Sequence, residues 1–385
     1  MTYTTLRCLL AISILGSSLS VCFFSTLVYA QYRSDEQPQT RGFVTVRGTI
    51  VSATPSPWKA EITRVRGREE LSAVFFSDPV HGWIGAKGAM YETEDGGKNW
   101  HKATLAIAES VRVWDIFFAD RLLGWVVLQS DRGFGPSSSW LMHTKDGGLT
   151  WGVQWESTDA GLTRVSITNA KNGWLTGSKW PSIPLVFHTV DRGEHWTDVS
   201  ASLLREVGEK AGGSVRDVIP EGSLAATVLT PNGVVFTTTD AGRNWREIAR
   251  LPGEPPQTCV CHFGIKQDHS LWLAGGANSI EGTWGTLAVM RSDNSWVKYE
   301  VDAYLSDFLS SSNGRFFASG LLLTDKSDRG KSDGVILYSS DEGRNWSIIY
   351  RSTDVSHIGK LFALDSRHLW AVGKNGLVVR LESTE

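Results

Sequence analysis

A seven-bladed, all-β propeller is the fold this sequence predicts, on three observations. An eight-residue box, Ser/Thr-x-Asp-x-Gly-x-x-Trp, recurs at residues 93–100, 144–151, 189–196, 238–245 and 339–346. A tryptophan series at 58, 100, 151, 196, 245, 296 and 346 repeats every 42–51 residues, the size of one blade. Each period also offers four short runs of β-prone residues, enough for one four-stranded sheet.

Taken in chain order, residues 1–30 have the layout of a signal peptide. Arg7 precedes an uncharged stretch over 9–30 that ends Val28-Tyr29-Ala30. Those 22 residues are also long enough to span a bilayer, so an N-terminal membrane anchor is the other reading. Cys22 is a weak lipidation site, because Val21 stands where a small residue is wanted. Residues 31–54 form a tether or linker, in which 42–51 reads either as an added strand or as plain tether. The propeller then fills 55–385.

Blade bodies fall at 71–105, 111–156, 162–201, 213–251, 259–301, 303–351 and 355–384. Within them a second signal heads the second strand: Gly82-Trp83, Gly124-Trp125, Gly173-Trp174, Leu271-Trp272 and Leu369-Trp370, with Phe316-Phe317 and Leu224-Ala225 as stand-ins. The fifth box, Ser292-Asp293-Asn294-Ser295-Trp296, is shortened and has lost its Gly. The seventh body has no box and stops at Leu381 and its flanking residues. Its missing strand is expected from Pro57-Trp58-Lys59-Ala60-Glu61-Ile62, so that the two ends of the chain close one sheet and remove its open edges. Leu203 to Lys210 reads as a short amphipathic helix that covers the sheet.

The box residues have a job that needs no substrate. Asp95, Asp146, Asp191, Asp240 and Asp341 are expected to accept hydrogen bonds from their own turn. The Gly supplies a positive φ, and Trp100, Trp151, Trp196, Trp245 and Trp346 pack between sheets. Five such acids around a ring point to folding rather than catalysis.

Composition removes several function classes. Lys+Arg 38 against Asp+Glu 41 leaves a net charge of −3, without the basic excess of a nucleic-acid binder. Of four cysteines, two lie in the leader, so Cys259 and Cys261 make no disulfide framework; a strained bridge and two thiols both remain open. Cys-x-Cys-His with His269 nearby lacks zinc spacing, and no metal or cofactor is expected.

A partner surface is expected on the loops between second and third strands, on the face opposite the boxes. Insertions there carry Arg132, Trp140, Trp180, Trp284 and Arg329, residue types that anchor protein interfaces, although each Trp can equally fold back onto its blade. Asp115, Asp217 and Asp307 recur at one position of the first strands in blades 2, 4 and 6, near the channel; repetition again favours structure. No pair of carboxylates, and no Tyr/Glu/three-Arg set, can be assembled from local motifs, so no catalytic residue is assigned.

The boxes and Gly-Trp signals resemble the Asp-box (BNR-type) β-propellers, and among them the photosystem II stability and assembly factor family, over about residues 55–385. That resemblance implies an exported, non-enzymatic scaffold in the periplasm or another extracytoplasmic compartment, possessing a membrane tether or a cleaved leader. It implies a protein client, a membrane-protein intermediate or precursor, held on a propeller face by a monomer; a glycan is a further conceivable ligand. Similar boxes occur in sialidases and xyloglucan-cleaving enzymes, so an Asp-box glycoside hydrolase is the alternative.

Overall fold

The computed structural model describes residues 43–384 except 53–56, 68, 131–136, 169–170, 181–182, 208–213, 252–258, 266–269, 280–281, 292, 312–313 and 325–330. The leader, Arg132, Arg329 and His269 lie outside the described residues. Seven sheets, each with four antiparallel strands, run from an inner strand at the channel to an outer strand at the rim. The inner strands are Leu71–Phe76, Val111–Phe118, Ala160–Ile167, Asp217–Pro220, Cys259–Ile265, Tyr304–Ser310 and Ile358–Ala363.

The Gly-Trp signal has a packing cause. A Cβ on Gly82, Gly124 or Gly173 would lie within 2.4 Å of Phe76, Phe118 or Ile167, the residue that ends the paired inner strand. The following Trp is buried and joins neighbouring blades: Trp83 stacks on Phe118 of the next blade at 3.7 Å, and Trp370 of blade 7 on Phe76 of blade 1 at 3.8 Å. In blade 4 the stand-in pair is not Leu224-Ala225. Ala226 pairs with Thr238 as Gly173 pairs with Thr189, so Ala226-Thr227 holds the Gly-Trp position; strand pairing, not local sequence, sets that register.

Strand β1 (Phe43–Arg47), β2 (Thr49–Ser52) and β3 (Trp58–Arg64) run round the rim. β1 adds in parallel to Trp296–Val301 of blade 5, and β2 in parallel to Asn345–Ser352 of blade 6. β3 pairs antiparallel with Leu377–Ser383 and completes blade 7, with Trp58 buried against Phe317 at 5.1 Å. Gly48, between β1 and β2, is crowded: a Cβ there would meet Val301 at 2.8 Å. The only α-helix among the described residues, α1 (Ser200–Val207), buries Leu203 and Val207 against Trp174, Val186 and Trp245. It covers the blade 3–4 interface, where the outer strand of blade 3 is only Thr197–Asp198.

Candidate functional site

The five intact boxes share one hydrogen-bond pattern. Thr93 Oγ1 donates to Asp95 Oδ1 at 2.8 Å and accepts from the Gly97 amide at 3.0 Å; Asp95 Oδ1 in turn accepts from the amides of Lys98 and Asn99. The hydroxyl-to-Asp bond, the Gly amide bond and the amide bond from the fourth residue after Asp recur around Asp146, Asp191, Asp240 and Asp341. Burial raises the Asp95 and Asp191 pKa values, but the donated bonds outweigh it and hold both at about 2. For Asp146 the side chain and amide of Thr150 are the main cause of a similar value, about 2. A carboxylate that accepts on both oxygens and stays ionised has no proton to give at neutral pH, so none of these acids serves as a general acid there.

The residue after each box Asp also adopts a left-handed conformation, and in blades 1 to 4 its amide bonds to the loop between the first two strands of its own blade. Gly96 donates to the Val80 carbonyl, Gly147 to Leu122, Arg192 to Lys171 and Ala241 to Leu224. Boxes and first loops therefore share one face. On that face five large aliphatic side chains stand exposed over blades 1 to 4: Val80, Leu122 (59%), Leu149 (71%), Val190 (59%) and Leu224. Between blades 2 and 3, beside Leu122, a cavity of about 270 Å³ is lined by Phe117, Phe118, Leu123 and Ile167, with Asp120 and Arg192. The cavity is half polar, with Asp120, Thr168 and Arg192 in its wall, and with the exposed aliphatics it makes this face a candidate binding surface.

Of the five residues expected to bind a partner, three are described, and these lie towards the opposite face. Trp140 opens the third strand of blade 2 and packs half-buried against the core between blades 1 and 2. Trp284 lies within a long hairpin opposite Ala277, half-buried, because strands Leu271–Ser279 and Gly282–Met290 pair to their tips. Trp180 follows the second strand of blade 3 and is 42% exposed. The topology brings these to one face but on separate blades, and the exposed aliphatics of the box face were missed because each is a lone residue in a polar turn.

The channel holds a second feature. Seven equivalent positions, each paired with the residue two beyond the Gly-Trp tryptophan or its stand-in, carry Ala73, Asp115, Arg164, Asp217, His262, Asp307 and Lys360. A bulge precedes six of them. Charges alternate and link blade to blade: Arg164 lies 3.6 Å from Asp217, His262 3.3 Å from Asp307, and Lys360 4.0 Å from Asp307. Asp115 accepts from the Val165 amide at 3.0 Å and Asp307 from the Leu361 amide at 2.8 Å, each reaching the next blade.

Burial drives the Asp115 carboxyl up, beyond what Arg164 and the Val165 amide restore. Burial also acts on Asp307, but Lys360, His262 and the Leu361 amide overcome it and hold its pKa below the usual range. Burial lowers the His262 pKa. Asp217 and Asp307 are tied to cations, and Asp115 to an amide, so the belt is a closure device rather than a paired-acid active site. Cys261, at the bulge before His262, is disulfide-bonded, so of the bridge and the free thiol that its sequence left open the structure has the bridge. Among the described residues no cluster of three or more His, Cys, Asp or Glu is arranged to hold a metal.

Comparison with known proteins agrees with this geometry. The family model described as "Photosynthesis system II assembly factor YCF48" matches residues 51–131 and 110–252. The chain is 24% identical over 335 residues to the photosystem II assembly lipoprotein Ycf48 of Synechococcus sp. (strain CC9902), covering 86% of this chain and 90% of that protein. It is 29% identical over 154 residues to the chloroplastic photosystem II stability/assembly factor HCF136 of Arabidopsis thaliana, covering 38% of this chain and 34% of that protein. A solved structure of YCF48 bound to D1 peptide superimposes with a TM-score of 0.61 at 18% identity, covering 88% of this chain and all of that one.

Proposed function

The chain belongs to the photosynthesis system II assembly factor YCF48 family, and from that premise we propose that it is an exported, non-enzymatic assembly factor that holds a protein client on a propeller face. The observation that carries this reading is the match along 90% of a protein named as a photosystem II assembly lipoprotein. The similar YCF48 structure holds a D1 peptide, and a peptide segment of a membrane protein is the client form proposed here. The protein acts as a monomer, in the periplasm or another extracytoplasmic compartment, tethered to a membrane.

The client docks on the box face of blades 1 to 4. Leu122, Leu149 and Val190 present apolar surface there beside a cavity large enough for one bulky side chain. Trp180, with the half-buried Trp140 and Trp284, forms the second candidate surface, on the opposite face. Mild crosslinking of the native envelope, capture through a C-terminal tag and mass spectrometry tests the reading, with the tagged leader alone as control. A reproducible membrane-protein partner is expected. Recovery of background only would overturn the scaffold assignment.

A further inference from the structure

The fourth strand of each blade lies at the rim, where its outer edge offers backbone groups to any extended chain. Six of these seven edges are blunted or covered. In blades 1 and 3 the fourth strand is only two residues long, His101–Lys102 and Thr197–Asp198. In blades 4 and 7 it carries cations, Arg246 and Arg250 on one, Lys59 and Arg64 on the other. In blades 5 and 6 it is covered by β1 and β2. Blade 2 has none of these devices. Its fourth strand, Gly152–Ser157, is six residues long, contains no Lys, Arg or Pro, and leaves Val153 56% exposed. Among the described residues its backbone pairs with Ser139–Thr144 alone.

We propose that this edge takes up an extended segment of the protein client as a fifth strand, parallel to Gly152–Ser157. The inference deepens the client reading and rests on it. The mode is one the molecule already uses, since β1 and β2 each lie parallel on the fourth strand of a blade. They also show what such an edge accepts: Phe43-Val44-Thr45-Val46-Arg47 and Thr49-Ile50-Val51-Ser52 are short runs rich in β-branched residues, with one charge between them. A client segment of that chemistry, extended and free of Pro, fits the bare edge. Apolar continuity selects the client. Leu149, 71% exposed on the box face, lies three residues before the strand, and Val153 presents further apolar surface on the strand itself. A client held at Leu149 therefore has this edge next to it. A second copy of the chain fits less well, because a two-fold axis would bring two such edges together antiparallel, the orientation that neither β1 nor β2 adopts on its blade.

The first arm of the test adds a synthetic peptide of sequence 43–52 to the full chain, whose own strap keeps blades 5 and 6 filled, and follows amide exchange. Gly152–Ser157 should exchange about tenfold more slowly with peptide, and Arg246–Arg250 should be unchanged. A peptide N-methylated at alternate residues cannot pair and should have no effect. Val153→Lys, at an exposed position, puts a cation on the edge and should abolish the protection. No slowing, equal slowing at Arg246–Arg250, or equal slowing by the methylated peptide would each overturn the proposal. The second arm places a benzophenone amino acid at position 149 or 153 in the native envelope, where both positions should give one adduct of the same membrane protein. An adduct at 149 without one at 153 would overturn the edge and leave the client reading standing; no adduct at either would remove both. A doubled mass in light scattering that Val153→Lys returns to that of one chain would assign the edge to a second copy, against the proposal.

Discussion

At the scale of single residues, the box turn makes a directional prediction. The position after the box Asp has φ near +60 to +80° in five blades, yet only blades 1 and 2 place Gly there. Ala241→Gly and Glu342→Gly should therefore raise stability by about 1 kcal/mol each in urea unfolding, since a left-handed L-residue costs that much. Gly96→Ala should do the reverse and more, because its Cβ would lie 2.8 Å from the Pro79 carbonyl oxygen. The channel belt predicts opposite signs for two similar acids. Asp307→Asn loosens His262 and Lys360 and should destabilise by about 3 kcal/mol at pH 7. Asp115→Asn removes a charge that burial disfavours while keeping an oxygen for Val165, and should be neutral or stabilising. With pKa values held at about 2, Asp95, Asp146 and Asp191 contribute stability that is present above the ordinary carboxylate pKa of about 4 and lost as pH falls through about 2, and Asp307, whose pKa is also lowered, acts in the same direction. Acid titration of near-ultraviolet circular dichroism measures that loss. The boxes were legible because all their bonds lie within eight residues. The belt was legible only in its acids: Arg164, His262 and Lys360 share no residue type with them, and only strand register aligns them.

At the scale of elements, the joints between blades hold the ring. Trp83 on Phe118 and Trp370 on Phe76 are stacked, buried contacts between sheets, so Phe118→Ala should cost about 3–5 kcal/mol, read by chemical denaturation. The rim strap is a separate element with its own consequence. Its pairing with Trp296–Val301 and Asn345–Ser352 protects those outer edges. Deleting residues 43–52 should therefore raise amide exchange in these two strands and leave Val111–Phe118 unchanged. The sequence showed a possible strand at 42–51 but not its partners, because pairing spans some 250 residues and leaves no local pattern. The Leu224-Ala225 assignment failed by two residues for the same reason: Thr238, on the next strand, decides the register.

At the scale of the whole molecule, seven repeats close through β3 on the last blade, a closure visible in the sequence as a Trp-led strand at one end and a missing one at the other. The faces were less legible. Insertions pointed to the loops carrying Trp140, Trp180 and Trp284, whereas hairpin pairing and core packing leave Trp180 the most exposed of the three. The apolar surface on the box face emerges only when turns from four blades are assembled side by side. The central claim, a protein client held on that face, is tested most directly by photo-crosslinking in the native envelope, with a benzophenone amino acid at position 149 or 190 on the box face and at 180 on the other. The account predicts that 149 and 190 give one discrete adduct with a membrane protein, abolished by Leu122→Asp, while 180 gives none of that mass. Adducts confined to position 180, or none at any position, would contradict it.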